Sequence, residues 1–195
     1  MTNNFELIKP YLAFDSEEDF YFLQIYKRRK DNPELYRDMY VMNNYYIYSL
    51  EQYDRIQEDI IKECTVQNAR AYIRLNRRNA KKVAFKVLTK LSVMLDAGQY
   101  KDVKAIFPAA CGEVNSEPVK KWVVDVDTKD TETLHELIFF IKELQEISEK
   151  YKVEGIIPTK NGNHIISNPF NTKTFKDKYP HIDIQKDNPT ILYIP

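Results

Sequence analysis

The sequence predicts an α+β fold in which a mixed central sheet is flanked by helices, all within a single domain of residues 1–195. Three observations support this expectation. Residues 120–128 contain a short apolar strand that ends in two carboxylates, and residues 130–151 carry an apolar stripe at helical spacing. Residues 153–158 then form a second apolar strand. This strand-helix-strand order is typical of a sheet backed by helices.

The composition indicates a folded chain without a strong overall charge. Of the 195 residues, 43% are hydrophobic and 13% are aromatic, while 29 basic residues balance 29 acidic ones. Any nucleic-acid binding would therefore depend on a local basic surface. Cys64 and Cys111 do not form a metal-binding pair, and we expect them to stay reduced. The sequence has neither a signal-like start nor an apolar run of membrane length, so we expect a soluble cytoplasmic protein without membrane contact.

The N-terminal part, about residues 1–64, is expected to be helical and rich in aromatic side chains. Acids at residues 15–19 and bases at residues 27–30 suit the two ends of one helix. Residues 45–48 form a predicted strand, and Ser49 is placed to cap a second helix. The many tyrosines are either a stacking surface for bases or, more often, the cover of a core.

A basic segment at residues 65–95 contains no acid. It comprises an alternating strand at residues 69–76 and a helix over residues 79–95. Such a segment suits a phosphate backbone or a nucleotide triphosphate, and the alternative is an ordinary solvated surface. The predicted nucleic-acid-binding residues are Arg70, Arg74, Arg77, Arg78, Lys81 and Lys82.

The remaining elements include one unclear segment. Residues 97–117 are expected to be an irregular excursion or a weak hairpin, whereas the helix at residues 130–151 begins with a capping box between Thr133 and Glu136. The chain ends in two short strands around a solvated turn at residues 186–189, which includes Asp187. The stripe of the helix consists of Leu134, Leu137, Ile138, Ile141, Leu144, Ile147 and Tyr151.

Asp125 and Asp127 are the first candidate site residues. Because side chains alternate along a strand, both carboxylates project from the same face. Two adjacent acids repel each other unless water or a cation separates them, and a divalent metal ion such as Mg²⁺ is the natural occupant. The alternative is that the strand ends there and both acids are solvated.

A turn rich in polar groups supplies further candidates. Lys160 and Asn161 lie in a turn that contains Gly162, and His164 begins the strand after it, which suits a phosphate cradle. The alternative for His164 is a structural or solvated histidine. Asp183 has isoleucine on both sides, so it is another acid at the edge of a strand.

In this order, the motifs resemble those of the archaeo-eukaryotic primase superfamily, the primase-polymerases, in their small phage and plasmid forms. Residues 124–127 are similar to the acid pair of that family, residues 160–164 to its turn ending in histidine, and residues 182–183 to its later aspartate motif. The tail at residues 183–195 resembles the final hairpin of these proteins. The resemblance spans the motif-bearing core at about residues 68–195, although the family's usual turn is led by serine.

The resemblance implies an RRM-like palm and a DNA-directed primase or polymerase. Such a nucleotidyltransferase makes short primers, or extends strands, on a single-stranded DNA template during phage or mobile-element replication in a bacterial cell. Asp125, Asp127 and Asp183 would bind two Mg²⁺ or Mn²⁺ ions. Lys160, Asn161 and the catalytic His164 would contact the incoming NTP or dNTP.

The resemblance also implies a replicative helicase or another replisome protein as a partner. Two other functions stay open. The first is a catalytically inactive accessory protein that binds nucleic acid or nucleotide through the basic segment. The second is a metal-dependent nuclease that uses the same three aspartates.

Overall fold

The computed structural model of the chain describes residues 1–145 and 154–195 and has an α+β fold with two antiparallel sheets. The strands are β1 (Thr2–Asn3), β2 (Asp19–Arg28), β3 (Met39–Ile47), β4 (Arg70–Ile73), β5 (Arg78–Asn79), β6 (Trp122–Val126), β7 (Glu154–Pro158), β8 (Asn163–Ser167), β9 (Asp183–Gln185) and β10 (Thr190–Ile194). The helices are α1 (Phe5–Ile8), α2 (Leu50–Arg55), α3 (Gln57–Gln67), α4 (Ala80–Asp96), α5 (Ile106–Glu113), α6 (Thr131–Glu143) and α7 (Thr172–Lys178), with 3-10 turns at Lys9–Tyr11 and Tyr100–Ala105.

The first sheet has the strand order β1-β10-β4-β2-β3, and β5 pairs with the start of β2. Its strand β2 occupies Asp19–Arg28, where we predicted a helix, so that prediction was wrong. Phe20 and Phe22 are buried against a cluster that includes Val83, whereas Leu23 and Ile25 are buried in the main core. Because both faces of β2 are buried, six of the seven residues from Phe20 to Tyr26 are apolar, and this stretch lacks the alternation that would distinguish it from a helix.

The second sheet has the strand order β7-β8-β6-β9. Its chain order is β6-α6-β7-β8-α7-β9, which is the β-α-β-β-α-β connectivity of ferredoxin-like folds. The predicted strand-helix-strand unit is present, but β8 lies between β6 and β7 and is antiparallel to both. All pairs in the described strands are therefore antiparallel, in contrast to the mixed sheet that we predicted.

The two faces of β6 contact different layers. Val124 and Val126 pack in a cluster with Leu137 of α6 and Phe175 of α7. Val123, on the other face, belongs to the main core, which also contains side chains of the first sheet. Asp125 has the same parity as Val123 and therefore projects from the face opposite α6 and α7.

The end of the chain does not form the predicted hairpin. β9 pairs with β6 in the second sheet, whereas β10 pairs with β1 and β4 in the first. The connection between them crosses from one sheet to the other, and Asp187 within it is not solvated as predicted. Its carboxylate lies 2.9 Å from Nη2 of the fully buried Arg78 and accepts a 3.0 Å hydrogen bond from Asn76.

Several boundaries also differ from the predictions. The excursion at residues 97–117 contains helix α5, which tolerates Pro108 because a proline in the first helical turn needs no N–H partner. The predicted helix after Ser49 is divided at Ile56 into α2 and α3. The N-cap of α6 is Asp130, whose side chain accepts a 2.8 Å hydrogen bond from the amide of Thr133.

The other predicted elements are confirmed in position. Ser49 caps α2 through a 3.1 Å hydrogen bond from the Gln52 amide, and Asn79 caps α4. Ile147, Tyr151 and Val153, which we placed in the helical stripe and in the next strand, lie outside the described residues. No helix in the described part of the chain combines the length and the apolar character needed to cross a membrane.

Candidate functional site

Asp125, His164 and Asp183 form one polar row across the second sheet. In the strand register, Asp125 of β6 lies directly opposite His164 of β8 on one side and opposite Asp183 of β9 on the other. Residues directly opposite each other in antiparallel strands project from the same face. The structure therefore brings together three of the four predicted catalytic residues, on the face that α6 and α7 leave uncovered.

His164 connects the polar row to the first sheet. Its Nε2 atom lies 3.5 Å from Oδ1 of Asp125, and its Nδ1 atom shares a 2.8 Å hydrogen bond with Oγ1 of Thr190 at the start of β10. The imidazole ring is buried and Thr190 is fully buried. These two contacts hold the ring in one orientation.

The pKa of Asp125 lies below its ordinary value of 3.8. The contact with the His164 imidazole is the largest cause, and it outweighs the partial burial that would raise the pKa. The positive charges of Arg28 and Lys30, at the end of β2 and just beyond it, lower the pKa further. The carboxylate of Asp125 is thus held ionised in a locally positive environment.

Asp127 is exposed just beyond the end of β6, in a loop that the β7–β8 turn supports. Asn163 donates a 2.8 Å hydrogen bond to the carbonyl of Thr128. Gly162 packs so closely that a Cβ atom there would lie 2.1 Å from the carbonyl oxygen of Val126. The predicted acid pair and the predicted phosphate turn are therefore in direct contact.

Lys160 and Asn161 are exposed at the tip of this turn. The ammonium group of Lys160 lies 3.2 Å from the carboxylate of Asp31, which also pairs with Arg70 at 2.7 Å. Lys160 is therefore on the same side of the molecule as the end of β2, and its side chain is more than half exposed.

Most arginines of the basic segment are bound inside the protein. The guanidinium of Arg77 lies 2.6 Å from Asp15 and 3.2 Å from Asp19. Arg70, Arg77 and Arg78 are all buried, so we do not include them in the nucleic-acid surface that the sequence suggested. Arg74 is half-buried and donates to the backbone carbonyl of Asp187, whereas Lys81 and Lys82 are exposed on α4.

A cleft that the sequence did not predict lies beside the polar row, and we call it the tyrosine cleft. It has a volume of about 330 Å³ and is lined by Tyr26, Arg28, Met39, Tyr72, Arg74, Gln185, Asn188 and Pro189. The rings of Tyr26 and Tyr72 are 5.4 Å apart and nearly perpendicular, and Arg28 donates a 3.2 Å hydrogen bond to the Tyr72 hydroxyl. Gln185 is two residues from Asp183 on β9, so the cleft adjoins the row.

A sequence signal for this cleft existed but was divided between two elements. The predicted strand at residues 69–76 correctly places Tyr72 and Arg74 on its polar face. Tyr26 and Arg28 follow the same alternation on β2, and Tyr26 lies opposite Arg70 in the register. The helical interpretation of residues 20–30 concealed this second half of the polar face.

The donor atoms suit a hard divalent cation. Asp125, Asp127 and Asp183 offer carboxylate oxygens, which Mg²⁺ and Mn²⁺ prefer over nitrogen or sulfur. Within residues 1–145 and 154–195, no three His, Cys, Asp or Glu side chains converge into a metal-binding group. Because Asp125 and Asp183 are directly opposite in the register, rotation of their side chains would bring both to one ion.

Comparisons with protein-family models, with curated proteins and with solved structures gave no match to this chain.

Proposed function

We propose that the chain is a metal-dependent nucleotidyltransferase that makes primers, or extends strands, on a single-stranded DNA template, as small phage and plasmid primase-polymerases do. The observation that carries this proposal is the polar row, in which Asp125 lies between His164 and Asp183 with Asp127 just beyond the strand. These are the residues that the order of motifs in the sequence selects. The connectivity of the second sheet also agrees with an RRM-like palm.

In this proposal, Asp125, Asp127 and Asp183 bind two Mg²⁺ or Mn²⁺ ions, which when bound neutralise the triphosphate and activate a 3′-hydroxyl. His164 holds the Asp125 carboxylate in one orientation, because its ring is fixed by Thr190. In its protonated form, His164 also supplies a charged donor for a phosphate oxygen.

The tyrosine cleft and the β7–β8 turn would hold the other groups. Tyr26 and Tyr72 offer aromatic faces to bases, and Arg28 and Arg74 offer guanidinium groups to phosphates. Lys160 and Asn161 lie at the turn next to Asp127, and we assign them to the phosphates of the incoming NTP or dNTP. For Lys160 this requires release from Asp31, which its exposed side chain permits.

The test is incorporation of labelled nucleotides on a single-stranded template with Mg²⁺ or Mn²⁺. Asp125→Asn and Asp183→Asn should each reduce product by about 100-fold or more, since each removes a charge that stabilises the transition state. Asp177→Asn, an exposed acid on α7 behind the sheet, is the matched control and should retain full activity. Equal product from all four proteins would refute the assignment of the row.

A second candidate function is single-strand or nucleotide binding without catalysis. The tyrosine cleft favours it, because its aromatic rings and guanidinium groups can bind bases and phosphates without a metal ion. In that case the wild type gives no product, yet it binds labelled single strands in a salt-sensitive manner. Arg28→Ala and Tyr72→Ala should then weaken binding, whereas Asp125→Asn should not. Shortening of the labelled strands in the presence of Mg²⁺ or Mn²⁺ would instead indicate a metal-dependent nuclease.

A further inference from the structure

The outer side of α4 exposes large apolar side chains. Only Val83 among its residues is buried, whereas Phe85, Leu88 and Val93 are 62%, 61% and 67% exposed. A helix of a folded domain normally turns its apolar residues toward the core. The polar row and the tyrosine cleft use none of these residues, so this surface has no role in the proposed function.

A groove runs between α4 and the chain that follows it. It has a volume of about 450 Å³, and its apolar lining includes Val93, Met94, Ala97, Ala105, Ile106 and Ala109. Three of these residues are alanines, whose short side chains leave the space between the helices open. A concave apolar surface of this size fits the side chains of a docked segment.

The groove lies within a basic surface. Lys81 and Lys82 are exposed one turn before Phe85, and among the described residues neither has an ion pair. Lys86 and Lys90 share a single acid, Glu113, at 3.0 and 2.5 Å. From residue 80 to residue 113 the chain carries six lysines against three acids. The groove is therefore apolar, and the segment that forms it carries a net positive charge.

We propose that this groove is a docking site for an acidic amphipathic segment of a partner protein. The apolar side chains of that segment would enter the groove, and its carboxylates would pair with Lys81 and Lys82. Helix-in-groove recognition uses this combination of apolar anchors and complementary charge. The proposal concerns a surface separate from the nucleotidyltransferase site and does not depend on it.

Other occupants fit the surface less well. Single-stranded nucleic acid binds through stacked aromatic rings and phosphate contacts, whereas the exposed residues here are mainly aliphatic, with Phe85 as the one ring on α4. A membrane surface would need a convex apolar face in contact with lipid, but Val93 and Met94 line a concave groove. The apolar lining of the groove and the lysines on α4 therefore favour a peptide.

The test is selection from a displayed library of peptides about 16 residues long, or about four helical turns. Selection against the full chain should enrich sequences with apolar residues at helical spacing and with excess Asp and Glu. Fluorescence anisotropy with the most enriched peptide, synthesised with a label, should then show saturable binding that weakens with salt.

Matched variants separate the groove from a nonspecific apolar or basic surface. The double variant Val93→Glu/Ala97→Glu, at two exposed positions that line the groove, and the double variant Lys81→Glu/Lys82→Glu should each weaken binding about tenfold or more. Phe139→Ser on α6 and Lys173→Glu on α7 remove an exposed phenylalanine and an exposed lysine elsewhere, and should leave binding unchanged.

Three results would overturn the proposal. The first is a selection that enriches no acidic amphipathic sequence. The second is binding that survives both double variants, which themselves fold because all four positions are exposed. The third is displacement of the peptide by a single-stranded oligonucleotide or by anionic lipid vesicles that compete for the same residues. The surface would then bind phosphate groups rather than a protein.

Discussion

Replacement of Gly162 by alanine tests the contact between the β7–β8 turn and the acid pair. A Cβ atom at this position would lie 2.1 Å from the Val126 oxygen, 2.9 Å from the Asp127 Cα and 3.0 Å from the Thr128 nitrogen. All three atoms are backbone, so no side chain can move aside. The φ angle of Gly162 is not in the left-handed region, so the whole cost of Gly162→Ala is steric.

The magnitude follows from the displacement that alanine requires. Ordinary carbon–oxygen contact needs the turn and the acid loop to separate by about 1 Å. Such overpacking costs about 1–3 kcal/mol, and loss of the bond from Asn163 to Thr128 adds about 1 kcal/mol. We therefore expect Gly162→Ala to lower the free energy of unfolding by about 3 kcal/mol, and Tm by about 6–12 °C for a domain of this size.

Urea unfolding measured by circular dichroism is the assay, and Gly112→Ala is the matched control. A Cβ atom at Gly112 would meet only Nη2 of Arg74, at an ordinary 3.7 Å, and this glycine lies within helix α5. The control should therefore leave stability unchanged, or raise it by about 0.5–1 kcal/mol, because alanine favours helix. Wild-type stability for Gly162→Ala, or an equal loss in both variants, would refute the packing argument.

Two further predictions concern charged groups. His164→Gln should raise the pKa of Asp125 toward 3.8 in a carboxyl NMR titration, because the largest cause of its depression is lost. At pH values above the unfolded-state pKa of Asp125, the depressed pKa contributes to the stability of the wild type. This contribution is lost as pH falls through the folded-state pKa, so the variant should lose less stability in acid. Asp187→Ala should cost about 3 kcal/mol in urea unfolding by leaving Arg78 buried without its partner, whereas the exposed Asp177→Ala should cost almost nothing.

The sequence was sufficient for elements whose pattern is local. The strand at β6, the helices at α4 and α6 and the cap at Ser49 depend on periodicity and on residues a few positions apart. It was insufficient for β2, because a strand buried on both faces has no polar alternation. It was also insufficient for the end of the chain, because pairing of β9 and β10 with different sheets is decided by distant partners.

The site was predicted in the same uneven way. Asp125, His164 and Asp183 were selected by motif order, and the register places them in one row. Arg28 and Tyr26 were missed, because they come into the site only through the pairing of β2 with β4. No short motif could select them, since the contact depends on a fold that the local pattern of residues 20–30 contradicted.

The buried arginines explain why a run of positive charge did not become an open binding surface. Arg70 holds Asp31, next to the positive end of β2, while Arg78 holds the connection that leads from β9 to β10. Both segments reach the tyrosine cleft, whose lining includes Arg28 from one and Asn188 from the other. Because a buried guanidinium without its carboxylate is strongly destabilising, these pairs act as fixed attachments. Arg70 and Arg78 of the basic segment thus support the cleft, Arg74 lines it, and the cations that act on Asp125 are Arg28 at the end of β2 and Lys30 just beyond it.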